Sequence, residues 1–311
     1  MLDVILFLVG LFGLIIASVT DLQRREVPDF LNYGLIAAAI GIRLLYAILM
    51  HDWWQLLFSV IGAFVFFGVA CLFFYTGQWG GGDAKMLIAL GALFATFTPA
   101  FGAGAHILPA FVFAILPSSV IEFVINYNLL FMFFLIVNIL IAGAVYGICW
   151  SIVLAIIHRS VWWRTVKLLI HTKKMKILGA TTLVCVIGLF ILATTMMQAI
   201  LRFMLMGLAV IAIIGFCLQL AMAAVERACM IRPMRVCDLT EGEWIQKRVT
   251  VNGKYICGPK DLGVSEEQIK RLKKLGVKSV IVKIGIPFIP AFLIGFLITV
   301  IVGNLFAALL V

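Results

Sequence analysis

Long apolar runs separated by short polar stretches set the architecture of this chain. The runs cover residues 2–19, 31–49, 54–75, 84–97, 129–157, 177–197, 201–225 and 286–311. A helix rises about 1.5 Å per residue, so roughly twenty apolar residues cross a hydrocarbon core. The pattern therefore predicts eight membrane-spanning helices. Residues 101–127 are also apolar, but Pro109, Pro117 and the pair Ser118-Ser119 interrupt them. Proline removes a backbone donor and paired serines favour broken helix, so this stretch reads as re-entrant or interfacial.

One extended polar stretch remains, residues 226–283. Arg248-Val249-Thr250-Val251 and Lys254-Tyr255-Ile256-Cys257 flank Asn252-Gly253, a signal for a tight type I′ hairpin. Ser265-Glu266-Glu267-Gln268 is a capping box that opens a short helix, and Gly276 can close it. Residues 277–284 read as a strand leading into the last span. The fold class expected is an all-α polytopic membrane protein of about eight transmembrane helices, with a small cytosolic α+β insert before the last helix.

Composition supports that class. Of 311 residues, 64% are hydrophobic and only 12% are charged, more apolar surface than a water-soluble fold can cover. The net charge of +10 resembles a nucleic-acid signal, but its distribution follows the positive-inside rule. With the N-terminus outside, Arg24, Arg25, Lys85, the cluster from Arg159 to Lys176 and the whole polar stretch 226–283 fall inside. Of the 24 Lys and Arg residues, only Arg43 and Arg202 fall elsewhere. The expected surroundings are thus a lipid bilayer, and no nucleic-acid partner is expected. A ninth span at 101–127 would invert everything after it and destroy this agreement.

Met1-Leu2-Asp3-Val4 runs straight into the first apolar stretch without a basic leader, so that stretch is expected to be a retained helix. The seven cysteines include no Cys-x-x-Cys, and Cys229, Cys237 and Cys257 have no zinc spacing. They read as reduced thiols and apolar filler, with no metal or cofactor implied.

Two carboxylates carry the candidate chemistry. Asp21 closes the first apolar run in Thr20-Asp21-Leu22-Gln23-Arg24-Arg25, and Asp83 opens the fourth in Gly80-Gly81-Gly82-Asp83-Ala84-Lys85. Ionisable groups at a membrane edge are costly to place and are functional candidates. Either aspartate alone has a structural account: Asp83 as the N-cap of the next helix, Asp21 as a partner of Arg24 or Arg25. The span count, built without them, puts both on the cytosolic face. That is what a catalytic pair requires, one acid protonating a peptide carbonyl while its partner activates water. Gly80, Gly81 and Gly82 would let the backbone turn sharply and approach a substrate strand. Lys85 is expected to snorkel to headgroups and Asp29 to cap the second helix. Glu122 is expected at the outer interface, and Trp53-Trp54 and Trp162-Trp163 in interfacial belts.

Asp21 with Val27-Pro28-Asp29-Phe30-Leu31-Asn32, and then Gly80-Gly81-Gly82-Asp83-Ala84-Lys85, resembles the type IV prepilin peptidase family. The Gly-x-Gly-Asp pattern and the earlier aspartate are that family's catalytic signatures, and they fall on Asp83 and Asp21. Pro287-Phe288-Ile289-Pro290-Ala291-Phe292 resembles its final-helix motif. Lacking a four-cysteine loop after the first helix, the chain is similar to the archaeal-type members, including preflagellin peptidases. The resemblance covers roughly residues 15–33, 77–97 and the last eighty. It implies a membrane aspartic endopeptidase that removes a short basic leader from pilin-like or archaellin-like precursors at the cytosolic membrane boundary. It does not imply the bacterial methyltransferase activity. On this reading residues 1–225 form the transmembrane catalytic and helical region, 226–284 the cytosolic insert and 285–311 the final helix.

Other classes stay open on sequence. A presenilin-type intramembrane protease also uses Gly-x-Gly-Asp, but its first aspartate follows a tyrosine, where Thr20 stands here, and no Pro-Ala-Leu occurs. A proton or cation transporter would place carboxylates near the midplane of broken helices, whereas these lie near helix ends. A noncatalytic assembly subunit is a third reading.

Overall fold

The computed structural model describes residues 2–97 and 130–303. Its elements divide into two compact units, Met1–Ile148 with Gly285–Val311, and Cys149–Ile284.

In the first unit, helices α1 (Leu2–Arg24), α2 (Asp29–Met50), α3 (Trp53–Tyr75) and α4 (Gly81–Phe94) follow in succession. Helix α5 (Leu130–Ile157) starts here, and α10 (Ile289–Ile301) returns to pack on α1. Helix α4 is central. Met86, Leu87 and everything from Ala89 to Phe94 are buried, as expected for a helix that is apolar all round. Lipid supplies no hydrophobic drive between helices, so close packing has to hold them. Gly62 on α3 faces Gly91 on α4, and a Cβ on either would strike the other's carbonyl oxygen. Phe94, Phe131, Phe292 and Phe296 join Leu6, Leu14 and Leu90 in one core. Asn138 of α5 donates to Thr299 Oγ1 (3.0 Å) and the Gly303 carbonyl (2.6 Å), which anchors α10.

The second unit holds the rest of α5, then α6 (Arg159–Ile170), α7 (Lys173–Thr195) and α8 (Ala199–Val225). A π-helical turn, Glu226–Met230, leads into β1 (Ile231–Arg235). Strands β2 (Trp244–Ile245), β3 (Val249–Val251) and β4 (Lys254–Cys257), helix α9 (Glu266–Lys274) and β5 (Ser279–Lys283) complete it. The antiparallel order is β1-β5-β2, with β3-β4 a separate hairpin. The hairpin turn is the expected one, with φ 51° at Asn252 and 77° at Gly253. The capping box forms as well, Ser265 Oγ accepting from the Gln268 amide and Gln268 Oε1 from the Ser265 amide. Leu272, Cys257, Val264 and Val282 centre the insert's own apolar core.

Among the described residues six helices are long and apolar enough to cross a membrane, and their exposed side chains, such as Phe64, Leu183, Val184 and Ile211, suit a lipid-facing surface. The expected fourth and last spans take shorter form. Helix α4 has 14 residues and α10 has 13, so α4 rises about 21 Å. A helix sheathed in protein is not held to the length of the hydrocarbon core. The stretch 101–127, Glu122 included, lies outside the described residues. Helix α6 lies between the apolar runs that end at 157 and begin at 177, where the sequence pattern predicts no span.

Candidate active site

Three chain segments of the first unit converge: the end of α1, the start of α4 and the start of α10. Asp21 sits in the last turn of α1, only 6% exposed. Its Oδ2 accepts the backbone N–H of Ile289 at 2.9 Å. Arg25 adopts a left-handed conformation (φ 57°) that ends α1, and its guanidinium donates to the Gly285 carbonyl at 3.1 Å. The chain entering α10 is thereby drawn over Asp21. Tyr146 of α5 also lies within electrostatic range of Asp21.

Asp83 stands at the third position of α4 and is half-buried. It is not the N-cap residue. Gly80 holds that place, and Asp83 Oδ2 accepts the Gly80 amide at 3.1 Å. This contact helps start the helix, and it leaves the other carboxylate oxygen free of that bond. Asp21 and Asp83 lie close enough for their charges to interact. The two sequence-predicted aspartates are therefore brought together by segments about sixty residues apart, each oriented by backbone amides.

Neighbouring side chains correct several expectations. Lys85 pairs with a carboxylate: its Nζ lies 2.6 Å from Asp29 Oδ1 and 5.5 Å from the centre of the Tyr33 ring. Asp29 consequently is no cap. Pro28 is the N-cap residue of α2, without a side-chain cap bond, and Asp29 is held by the lysine. The glycine run enters the helix directly. Gly80 is extended (φ −74°, ψ 167°), Gly81 and Gly82 are helical, and the positive φ in this loop belongs to Gly77 (70°). What Gly82 supplies is space: a Cβ there would come within 3.3 Å of Val27 Cβ. Gly81 is open, its nearest neighbour Phe74 at 3.9 Å, and a Cβ on Gly80 would lie 3.5 Å from Asp83 Oδ2.

Other residues of the site were not singled out from the sequence. Trp79, 5% exposed, precedes Gly80 and stacks on Phe73 at 4.3 Å between ring centres. It also meets Phe292 at 5.2 Å and Phe288 at 5.9 Å. One indole thus joins the loop that orients Asp83 to the segment that orients Asp21. A Cβ on Gly143 would strike the Phe288 ring, so that glycine gives the phenylalanine its seat. Ser18, one turn before Asp21 on the same helix, and Asn32, fully buried on α2, are also polar and inward. Neither Ser18 Oγ nor the Asn32 amide has a hydrogen-bond partner among the described residues. Asn32, at the end of the Val27–Asn32 motif, and Phe288 and Phe292, within the Pro287–Phe292 motif, carry a sequence signal. Among the described residues no group of His, Cys, Asp and Glu could hold a metal ion.

Comparison with known proteins gives this geometry a context. The model of the type IV leader peptidase family matches residues 8–148. Over those residues the chain is similar to that family. The matched stretch contains Asp21, the glycine run and Asp83. Similar relatives are the preflagellin peptidases of Methanocaldococcus jannaschii (34% identical, covering 28% of this chain and 37% of the relative) and Methanococcus maripaludis (37% identical, 29% and 39%). That of Methanococcus voltae is 28% identical over 30% of this chain and 40% of the relative. The chain thus spans well under half the length of the curated relatives it matches. No solved structure matches it.

Proposed function

We propose that this chain is a membrane aspartic endopeptidase that removes the short basic leader from type IV pilin-like or archaellin-like precursors. The observation that carries this reading is the convergence of Asp21 and Asp83 inside the stretch that matches the leader peptidase family. The name preflagellin peptidase, borne by all three relatives, supports the substrate class. The enzyme works in the cytoplasmic membrane with its site at the cytosolic boundary, where a precursor's polar leader meets its apolar helix.

The chemistry follows from two carboxyls with overlapping fields. Both cannot remain ionised side by side, so the pair holds one proton. The protonated member donates to the scissile carbonyl oxygen, while the carboxylate takes a proton from water as the water oxygen attacks carbon. As the tetrahedral gem-diol collapses, the C–N bond breaks and the leaving amine takes a proton from the pair. A gem-diol hydroxyl returns its proton to the freed carboxylate, which restores the singly protonated pair. The acid and base roles belong to the dyad jointly. The amides of Gly80 and Ile289 each occupy one oxygen, which fixes the carboxyl planes.

Membranes containing the chain, incubated with a pilin-like or archaellin-like precursor, should yield a product shortened by its leader. Asp21→Asn and Asp83→Asn should each lower cleavage by at least about 10²–10⁴-fold with the protein still inserted, because an amide can neither share the proton nor act as base. Near wild-type cleavage by either variant removes that residue from the dyad.

A further inference from the structure

Helix α6 carries features that the proposed peptidase chemistry does not use. Its 12 residues rise about 18 Å, too short to cross a bilayer. They join α5 to α7, both of which are long enough to span. A short helix between the adjoining ends of two spans lies at the headgroup layer. Its inner stripe, Val166 and Leu169, is buried against Met175 of α7 and Ala224 of α8. Trp162 is fixed by a bond from its indole N–H to the Ala221 carbonyl (3.3 Å), and Trp163 stacks on it with ring centres 5.4 Å apart.

The outer side is a groove of about 570 Å³ lined by Arg159, Ser160, Trp162, Trp163, Arg164 and Lys167. The helix contains no acidic residue. Among the described residues none of its three cations forms a salt bridge. The π-helical turn that packs against α6 offers one carboxylate, Glu226, and Lys283 holds it at 2.8 Å. Three uncompensated cations therefore surround a hydroxyl and two indoles at the depth where lipid phosphates lie.

We propose that this groove binds the phosphate headgroup of an anionic phospholipid. Guanidinium groups bond phosphate oxygens in a planar fork, and Lys167 adds a point charge. Trp163, 55% exposed, covers the glycerol and upper acyl carbons, the position that amphipathic rings favour at an interface. The lipid tethers α6 and neutralises charge that the fold leaves open.

The full chain in nanodiscs containing phosphatidylcholine with a minor share of phosphatidylglycerol provides the test. Native mass spectrometry after detergent extraction reads retained lipid, and quenching by bromine-labelled lipids reads its contact with tryptophan. Each basic side chain near an anionic surface contributes about fivefold. Arg159→Gln/Arg164→Gln/Lys167→Gln should therefore lower phosphatidylglycerol retention on the order of a hundredfold, leaving phosphatidylcholine unchanged. The equal charge loss Lys254→Gln/Lys260→Gln/Lys274→Gln in the insert should leave retention intact. Equal retention by the α6 variant and the wild type overturns the proposal, as does equal loss in both triple variants, which marks a general charge effect. Displacement of the lipid by millimolar inorganic phosphate, roughly in the physiological range, overturns it in favour of a soluble phosphate. The three α6 side chains are exposed, and a monodisperse, helical variant establishes that lost binding is not lost folding.

Discussion

At residue scale, the glycines before Asp83 matter for what they touch. Gly82 leaves room for Val27, whose Cβ would lie 3.3 Å from an added methyl, tighter than ordinary packing. Gly82→Ala should push the 25–28 loop by a few tenths of an ångström, since a misplacement of about 1 Å costs on the order of a hundredfold in rate. We expect turnover per mole of inserted protein to fall about three- to tenfold, and Gly82→Val to fall much further. Val27→Ala placed beside Gly82→Ala should restore much of the rate, because neighbours that clash are non-additive. Two independent, additive losses would mean that Gly82 acts on the substrate instead. Asp29 offers a contrast. Its carboxylate is tied to Lys85 at 2.6 Å with the side chain mostly exposed. Exposed pairs contribute roughly 0–1 kcal/mol. Asp29→Asn should keep substantial cleavage activity in the precursor assay, and complete loss would place Asp29 in the chemistry.

At the scale of elements, what was readable from sequence is what is local. Long apolar runs announce spans, Asn252-Gly253 announces its hairpin, and Ser265 with Gln268 announces its helix, each within a few residues. The amide of Ile289 on Asp21 joins positions 268 apart, and no periodicity encodes it. Helix α6 carries no legible sequence signal, because a stripe as narrow as Val166 and Leu169 is lost among six charges between spans. Arg43, which fits no charge rule, is fully buried, and donates to Thr96 Oγ1 (2.7 Å), Gln55 Oε1 (2.9 Å) and the Leu93 carbonyl (2.9 Å). Arg202 donates to the Met196 carbonyl at 2.9 Å, just past the end of α7. Trp79 is the element-scale residue of most consequence, since its ring spans from the loop before α4 to the first turn of α10. Trp79→Ala should cost about 3–5 kcal/mol of stability. Among molecules that remain inserted it should lower kcat by on the order of a hundredfold with KM little changed, because carboxyl placement rather than substrate contact is lost. Trp79→Phe, still able to stack on Phe73, should recover most of that kcat. A variant that is unstable but fully active when inserted would reduce the indole to core filling.

At the scale of the molecule, charge decides orientation. The insert and the α6 to α7 region carry most of the basic residues, and the positive-inside bias acts strongly on such short connections. Each of the two exceptions has a local hydrogen-bonding role, Arg43 inside the first unit and Arg202 at a helix end, so neither argues against the bias. The bias predicts that the loop between α1 and α2, the loop before α4, Lys173 at the start of α7 and Lys260 in the insert all lie in the cytosol. His51, which follows α2 with φ 57°, then lies outside. The seven native cysteines are all free, so a cysteine-free background with single cysteines at 51, 173 and 260 can be labelled by a membrane-impermeant thiol reagent. Intact cells should label position 51 alone, and opened membranes all three. Labelling of 260 from outside would require an odd number of crossings between α4 and the insert to be gained or lost, and would separate the insert from the leaflet of the two aspartates. Labelling of 51 only after opening would invert the whole chain and put the Asp21–Asp83 pair on the wrong side of the membrane to meet a leader that has never left the cytosol.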